Sequence, residues 1–132
     1  MSIDHLNPGT MQPPTGYSYV VRATGSQIVH VSGQVAIDGQ GRVVGEGDLA
    51  LQGEQVFENL RTCLAAAGAG FKDVVKLTTY VVNYKPEDRA TIGALRQRYL
   101  GTEGPPASTL VGVQALALPS LLIEIEAVAV LA

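Results

Sequence analysis

Residues 48–68 read DLALQGEQVFENLRTCLAAAG, and residues 73–82, a few positions further on, read DVVKLTTYVV. In the first stretch apolar residues recur every three or four positions, which predicts a helix that Asp48 caps and Gly68 ends. In the second stretch polar and apolar residues largely alternate, which predicts a strand. A helix followed by a strand excludes both an all-helical and an all-β fold. The apolar face of the helix is formed by Leu49, Gly53, Val56, Leu60, Cys63 and Ala67.

The sequence on either side completes an α+β pattern. Three prolines in residues 1–16 predict an irregular arm, and Thr24-Gly25-Ser26 predicts a hairpin turn between two strands. Gly93 lies inside a second helix, where glycine is unfavourable, and predicts close packing of that turn against a neighbour. The order of elements predicts a single domain over residues 1–132, an α+β fold with a mostly antiparallel sheet and two helices on one face. The further predicted elements are strands at 18–23, 27–32 with an extension over 34–37, 43–44, 107–113 and 121–131, and a helix that begins near Pro86 and ends before Gly101.

The composition describes a domain with little charge. Hydrophobic residues make up 46% of the 132 residues and charged residues only 16%, against about a quarter in soluble domains generally. Because the strands carry few charges on either side, the sheet face away from the helices needs a cover, and we expect a homo-oligomer. The net charge of −3, without any run of Lys or Arg, argues against nucleic acid as a partner.

Targeting and metal-binding patterns are missing from the sequence. The start, Met1 to His5, has neither the basic nor the apolar segment of an export signal, and no apolar stretch is long enough to span a membrane. We therefore expect a cytoplasmic protein without a membrane partner. A single cysteine and two histidines exclude an internal disulfide and a cysteine- or histidine-based metal site. Cys63 lies on the apolar helix face and is expected to be inert.

Glu124 and Glu126 are the first candidates for chemistry, because on a strand they share one face with apolar residues. A carboxylate in such surroundings needs an ion partner, hydrogen bonds or a proton, and a carboxyl held in this way can act as a general acid or base. The alternative is a solvated sheet edge or a contact between subunits. By the same alternation His30 is expected to be a half-buried strand histidine with a hydrogen-bond partner.

The succession of several short motifs resembles the Rid/YjgF family, the reactive intermediate deaminases that are also called L-PSP endoribonucleases or translation inhibitors. The resemblance runs from about Pro14 to Val130. None of the motifs is specific alone, and their order carries the resemblance. They are Gly16-Tyr17-Ser18, Ser32-Gly33-Gln34, Gln55 with Glu58 and Asn59, Ala66-Ala67-Gly68, Asp73-Val74-Val75-Lys76, and Glu124-Ile125-Glu126-Ala127 followed by Ala129.

The resemblance implies a chorismate-mutase-like subunit that assembles as a homotrimer, with clefts for a small ligand at the three subunit interfaces. It also implies hydrolysis of 2-imino or enamino acids to 2-keto acids and ammonia, without a metal or an organic cofactor. At the matching positions, Glu124 would place the attacking water, while Tyr17, Ser32 and Gly33 would line the cleft. Ser108 stands where the family has its substrate-binding arginine.

The serine at position 108 is the main departure from the family pattern. The family has a Pro-Ala-Arg-Ser segment whose guanidinium holds the substrate carboxylate through two hydrogen bonds, whereas this chain has Pro106-Ala107-Ser108-Thr109. A short, uncharged side chain cannot make that pair, and the loss is worth about 1.5–3 kcal/mol, at least about tenfold in rate. We therefore expect slow hydrolysis of imino acids, which Ser108→Arg should raise. Arg22 and His30 are the remaining basic candidates, although neither matches a family position.

Three functions remain open from the sequence. The first is a cofactor-free hydrolase for an imine, an enamine or a related metabolite whose carboxylate is absent or held differently, with Ser32, Ser108 and backbone amides around the ligand. The second is a trimer that binds or senses a small metabolite without turnover. The third, ribonuclease activity with inhibition of translation, is disfavoured because the sequence shows no cluster of His, Lys and Arg that could handle phosphate.

Overall fold

The computed structural model of the protein describes residues 2–132. Within them, six strands and two helices alternate in the order ββ-β-α-β-α-ββ, and a single 3₁₀ turn over Phe71–Asp73 leads into the fourth strand. The elements are β1 (Ser2–Leu6), β2 (Val20–Thr24), β3 (Gln27–Gln34), α1 (Leu49–Ala66), β4 (Val74–Val82), α2 (Asp88–Leu100), β5 (Ala107–Val113) and β6 (Ile123–Leu131).

The main sheet has four strands in the order β3-β6-β4-β5. β6 pairs antiparallel with β3 and with β4, whereas β4 and β5 are parallel and are connected through α2. Both helices contribute buried side chains, Phe57 and Ile92 among them, to the one core that also contains the inward residues of the sheet. The predicted α+β fold, mostly antiparallel with two helices, is therefore confirmed. Neither helix combines the length and hydrophobicity that crossing a membrane requires, as far as residues 2–132 are concerned.

Helix α1 begins and ends where the sequence predicts. The Asp48 carboxylate accepts a hydrogen bond from the backbone N–H of Leu51 at 3.1 Å, and Gly68 follows the helix with a positive φ of 76°. Its buried face is wider than the predicted stripe, because Gln52 and Phe57 are also completely buried. Cys63, expected in the core, is only half-buried.

Gln52 connects α1 to the strand that carries Glu124. Its side-chain amide donates a hydrogen bond to the carbonyl oxygen of Ser120 at 2.8 Å and accepts one from the backbone N–H of Leu122 at 2.8 Å. Buried backbone groups outside a sheet need such partners. The polar side chain in the apolar helix face therefore anchors the entry into β6.

The face of the main sheet that points away from the helices carries no helix of its own, and we call it the open face. In β6, Ile123 and Ile125 point towards the helices and are buried, so that Glu124 and Glu126 lie on the open face. Ile28 of β3 is 68% exposed there. That something besides the helices covers this face stays a prediction. By strand register, its other members include His30, Lys76, Thr78, Tyr80, Ala107, Thr109, Val111, Val128 and Val130.

The N-terminal segment differs from the prediction. Residues 2–6, expected to belong to an irregular arm, form β1, which pairs antiparallel with β2 in a separate two-stranded ribbon. The predicted hairpin between β2 and β3 is wrong, because β3 pairs with β6 instead. The predicted strand at 43–44 is reduced to a single bridge between Ile37 and Val43.

The end of β6 explains why β2 and β3 separate. A Cβ on Gly25 would lie 2.3 Å from the carbonyl oxygen of Leu131, and the N–H of Ser26 donates to that same carbonyl at 2.9 Å. At its other end the ribbon meets β5, where Ser18 forms a bridge with Ala107. Turn residues at 24–26 predict a change of direction but not the partner strand, which tertiary packing decides.

Candidate functional site

A cleft of about 1070 Å³ lies between the ribbon, α2 and the turn that leads into β5, and we call it the α2 cleft. Tyr17 and Ser108, two of the five predicted site residues, line this cleft. Its walls combine polar groups with apolar ones, which is the usual character of a site for a small organic molecule. The other polar side chains of its lining are His5, Asn7, Thr15, Ser18, Arg89, Arg96, Gln97 and Thr102.

Helix α2 presents Arg89, Gly93 and Arg96 to the cleft. These residues are three or four positions apart and therefore lie on the same side of the helix. The expected close packing at Gly93 is wrong, since a Cβ at this position would meet no atom within 4 Å. The closely packed helical glycine is Gly53, where a Cβ would lie 2.3 Å from Leu95 Cδ1. Gly93 instead leaves space in the wall beside Arg96.

Arg96 contacts Ser108, the position at which the family resemblance leads one to expect an arginine. Its Nη1 donates a hydrogen bond to Ser108 Oγ at 2.6 Å, and its Nη2 donates to the carbonyl oxygen of Gly16 at 2.9 Å. The short serine side chain thus stands against a guanidinium that another element supplies. Arg22, the first basic candidate of the sequence, is an exposed ribbon residue that pairs with Asp4 at 3.1 Å.

The α2 cleft is electropositive in a chain of net charge −3. Two arginines and one histidine line it, and its lining contains no aspartate or glutamate. Burial lowers the pKa of Arg96 below its ordinary value, because desolvation disfavours the charged guanidinium. Arginine nonetheless stays protonated at neutral pH. A cation without a carboxylate in its surroundings favours the binding of an anion.

His5 joins the ribbon to the turn before β5. Its Nδ1 lies 3.1 Å from the carbonyl oxygen of Pro105 and 3.2 Å from Ser18 Oγ, which itself donates to the Pro105 carbonyl at 2.5 Å. A carbonyl can only accept, so a proton on Nδ1 satisfies this contact and leaves Nε2 for other interactions. Gly104 is required beside the ring, because its φ is 54° and a Cβ would lie 2.7 Å from His5 Nε2.

The remaining three predicted site residues lie elsewhere in the chain. Gly33 and Glu124 are neighbours, since a Cβ on Gly33 would come 2.1 Å from Glu124 Oε2. Ser32 lies beside them in the chain and lines a smaller depression of about 320 Å³ together with His30 and Cys63. His30 is exposed in the single chain rather than half-buried, and it lies opposite Val128.

Glu126 and Glu124 differ in their surroundings. The Glu126 carboxylate accepts a hydrogen bond from the Tyr80 hydroxyl at 2.6 Å, and this bond raises the pKa of Tyr80 because ionisation would place two negative charges together. Glu124 lies against Gly33, a residue without a side chain, and is half-buried. Tyr80 therefore engages the Glu126 carboxylate, whereas Glu124 lies against the backbone of Gly33.

One chain brings four of the predicted residues together in two pairs, Tyr17 with Ser108 and Glu124 with Gly33, and Ser32 directly precedes Gly33 in the chain. Ser108 faces α2, and Glu124 lies on the open face of the same sheet. Within residues 2–132, no three side chains of His, Cys, Asp or Glu come together as a metal site. A single ligand can contact both groups only if a second subunit contributes one of them.

Arg96, His5 and Ser18 are site residues that the sequence reasoning did not identify. From the sequence, Arg96 is only a basic residue in the last turns of a helix, where its charge complements the helix dipole. Its spacing from Arg89 and Gly93 predicts a shared helix side, but not that this side meets β5. His5 lies 100 positions before its partner Pro105, a distance over which local sequence carries no signal.

Comparison with known proteins agrees with this architecture. Residues 9–131 match the sequence model of the family described as endoribonuclease L-PSP. The chain is 35% identical over 133 residues to a RutC family protein of Synechocystis sp., covering 99% of this chain and 98% of that protein. It is 31% identical over 124 residues to the human 2-iminobutanoate/2-iminopropanoate deaminase, covering 93% of this chain and 83% of the human protein.

The fold is also similar to that of a solved structure. The crystal structure of a conserved Rid family protein from Yersinia pestis has a TM-score of 0.92 to this chain at 47% identity, with 99% of this chain and 100% of the other covered. The family match spans nearly the whole chain, and so does the structural likeness. The chain therefore belongs to the Rid/YjgF family, whose family description is endoribonuclease L-PSP.

Proposed function

We propose that the protein is a cofactor-free hydrolase that converts a small imine or enamine to a carbonyl compound and ammonia. The α2 cleft is the observation that carries this proposal, because it combines fixed polar groups with apolar walls and contains Tyr17 and Ser108, two of the five predicted site residues. The similarity to a human protein named as an iminobutanoate and iminopropanoate deaminase supports the same reaction class.

The reaction needs a water molecule and a group that directs it. Water adds to the carbon of the protonated C=N bond and gives up one proton, which leaves a neutral amino alcohol. After its nitrogen is protonated, ammonia leaves, the C=O bond forms, and the hydroxyl proton is released to solvent. Glu124 is our candidate for accepting the proton of the attacking water, as a general base. The amino alcohol then needs a proton on nitrogen, which the same carboxyl can return.

We further propose that a homotrimer assembles the complete site. Glu124 and Ser108 lie on different faces of one sheet, so we place the Glu124 group of one subunit against the α2 cleft of its neighbour. The low fraction of charged residues, 16%, and the exposed apolar residues of the open face support such an association. A hydrolytic site would then form at each subunit interface.

Ser108 alone predicts a substrate whose carboxylate is absent or is held by another group. Since the Arg96 guanidinium contacts Ser108, the serine no longer argues against carboxylated imines. We therefore test both classes. L-amino-acid oxidase acting on leucine supplies an imino acid, and an amine oxidase acting on isoamylamine supplies the same imine without its carboxylate.

The assay follows semicarbazide trapping of the imine against release of the carbonyl compound. We expect the protein at micromolar concentration to accelerate hydrolysis of at least one imine by about tenfold or more, which corresponds to about 1.4 kcal/mol of barrier. Hydrolysis at the buffer rate for both imines would reject the proposed activity. An RNA oligonucleotide, incubated in parallel, tests the ribonuclease alternative.

The quaternary structure gives a separate prediction. Light scattering at micromolar concentration is expected to show a trimer for the wild-type protein and a smaller species for Ile28→Asp, because a charge at this exposed position of the open face cannot be buried without a partner. Leu51→Asp is the matched control, since Leu51 is 47% exposed on α1, in the other layer. A stable wild-type monomer would contradict the prediction, as would an Ile28→Asp trimer of unchanged stability.

A binding protein without turnover is the second candidate. It is favoured by one observation, namely that the lining of the α2 cleft in a single chain contains no carboxylate that could activate water. If the protein, as a trimer, binds a ligand in this cleft but hydrolyses neither imine, the binding function replaces the hydrolytic one.

A further inference from the structure

The structure provides a guanidinium for the position that the family arginine leaves empty. From the contacts of Arg96 and the charge of the α2 cleft, we infer that Arg96 of α2 is the anion-binding residue of this protein and holds the carboxylate of a small organic acid. For the reaction, this inference rests on the proposed function and extends it to imino acids. For binding, it stands independently of turnover.

The orientation of Arg96 is set by two neutral acceptors. Ser108 Oγ accepts from Nη1 at 2.6 Å and the Gly16 carbonyl accepts from Nη2 at 2.9 Å. A guanidinium carries five N–H donors in one plane, so three donors remain for a ligand. Because the plane is held from two sides, the remaining donors form a fixed fork, the geometry that binds a carboxylate with two hydrogen bonds.

The charge of Arg96 lacks a partner within the described chain. No carboxylate in residues 2–132 lies within 4.0 Å of it, whereas Arg22, Arg42, Arg61 and Arg98 each pair with an acidic residue at 3.4 Å or less. Those four arginines are mostly exposed, and Arg96 is half-buried. A partly desolvated cation without a counter-ion gains most from an incoming anion.

The small residues at positions 93 and 108 leave space for the long side chain of Arg96. The serine at position 108 leaves room for the end of the Arg96 side chain, and Gly93 leaves the adjacent wall open, because a Cβ there would have no atom within 4 Å. Arg89 adds a second positive charge to the same helix side. Arg96 of α2 thus places a guanidinium beside Ser108 of β5.

The walls around Arg96 define the rest of the ligand. Ile92, Leu100 and Leu110 line the cleft together with the arginines. These side chains suit a short aliphatic group, and the lining that one chain supplies contains no acidic group to bind an amine. The ligand class is therefore a monocarboxylate with an aliphatic tail, such as a keto acid or the imino acid from which it derives.

The test compares two ligands that differ only at the charged group, the keto acid of leucine and methyl isobutyl ketone. Binding is measured by titration calorimetry on the full-length protein. We expect Arg96→Gln to weaken keto-acid binding by tenfold or more, with Arg96→Lys in between because a lysine keeps the charge but not the fork. The ketone affinity should stay within about twofold, since loss of one charge does not change apolar contacts.

Arg98→Gln is the matched control, because Arg98 lies two residues further on α2 and pairs with Glu54 at 2.7 Å, outside the cleft. A purely structural role of Arg96 would lower the affinities for keto acid and ketone together and would lower the melting temperature, which overturns the inference. Wild-type protein that does not bind the keto acid overturns it too. Keto-acid binding through Arg96 without imine hydrolysis supports the inference and rejects only the proposed reaction.

Discussion

Glu124→Gln is expected to lower kcat for imine hydrolysis by at least roughly 100-fold, the lower end of what a general base contributes. Glutamine has the same shape and can accept hydrogen bonds, but it cannot take the proton of the attacking water. The substitution is tolerable for the fold, because Glu124 is half-buried next to Gly33 and away from the apolar core. The measurement is the rate of carbonyl release under saturating imine.

Glu126→Gln serves as the control for this prediction. Glu126 lies on the same face two residues later, and its carboxylate accepts from the Tyr80 hydroxyl at 2.6 Å, a bond that a glutamine oxygen can preserve. We expect its kcat to stay within about threefold, as for a conservative change away from the reacting atoms. Equal losses of kcat in the two variants would show that both carboxylates act in subunit assembly. A Glu124→Gln variant with wild-type kcat would show that Glu124 takes no part in the reaction.

Ser108→Arg is expected to lower keto-acid affinity and imino-acid turnover at least about tenfold, the opposite sign to that expected from the sequence alone. The new side chain would bring a second guanidinium to a point where Arg96 already lies 2.6 Å from Ser108 Oγ. Two like charges about 4 Å apart repel by roughly 4 kcal/mol at an effective dielectric constant of about 20. Arg96 must then leave its contacts with Ser108 and Gly16.

The exchanged double variant Ser108→Arg/Arg96→Ser tests the same idea in the other direction. It restores one guanidinium to the cleft, on β5 rather than on α2, and removes the repulsion. We expect it to recover most of the keto-acid affinity that each single variant loses, while the ketone affinity stays unchanged. Residues in contact are commonly non-additive, so the difference between the two ligands decides the test. Both single variants and the double variant are measured with the keto acid of leucine and with its ketone.

Two results would contradict this prediction. Ser108→Arg with higher imino-acid turnover than the wild type would show that position 108 is still the natural anchor, as the sequence suggests. The double variant could also bind the keto acid no more tightly than the weaker single variant. That result would show either that the arginine binds the ligand only from α2 or that its role is to hold the Gly16 segment. The melting temperature of each variant separates the second case from loss of fold.

Much of the fold follows from local patterns. Asp48 as the cap of α1, Gly68 after its end and the alternation in β4 and β6 all act between residues close in sequence. The polar alternation of β6 also places Glu124 and Glu126 on one sheet face. These features depend on backbone hydrogen bonding and on which side of an element is apolar, so they can be predicted from the sequence without knowing any distant contact.

The sequence by itself determined the α+β class, both helices and the family resemblance, and it predicted a role for position 108. Tertiary structure alone decided that β3 pairs with β6 rather than β2, that His5 meets Pro105, and that Arg96 fills the place beside Ser108. The physical reason is how far apart in sequence the interacting groups lie. A cap or an alternating strand depends on neighbours within one turn or one pleat, whereas a guanidinium meets its acceptors only after α2, β5 and the ribbon have packed around one cleft.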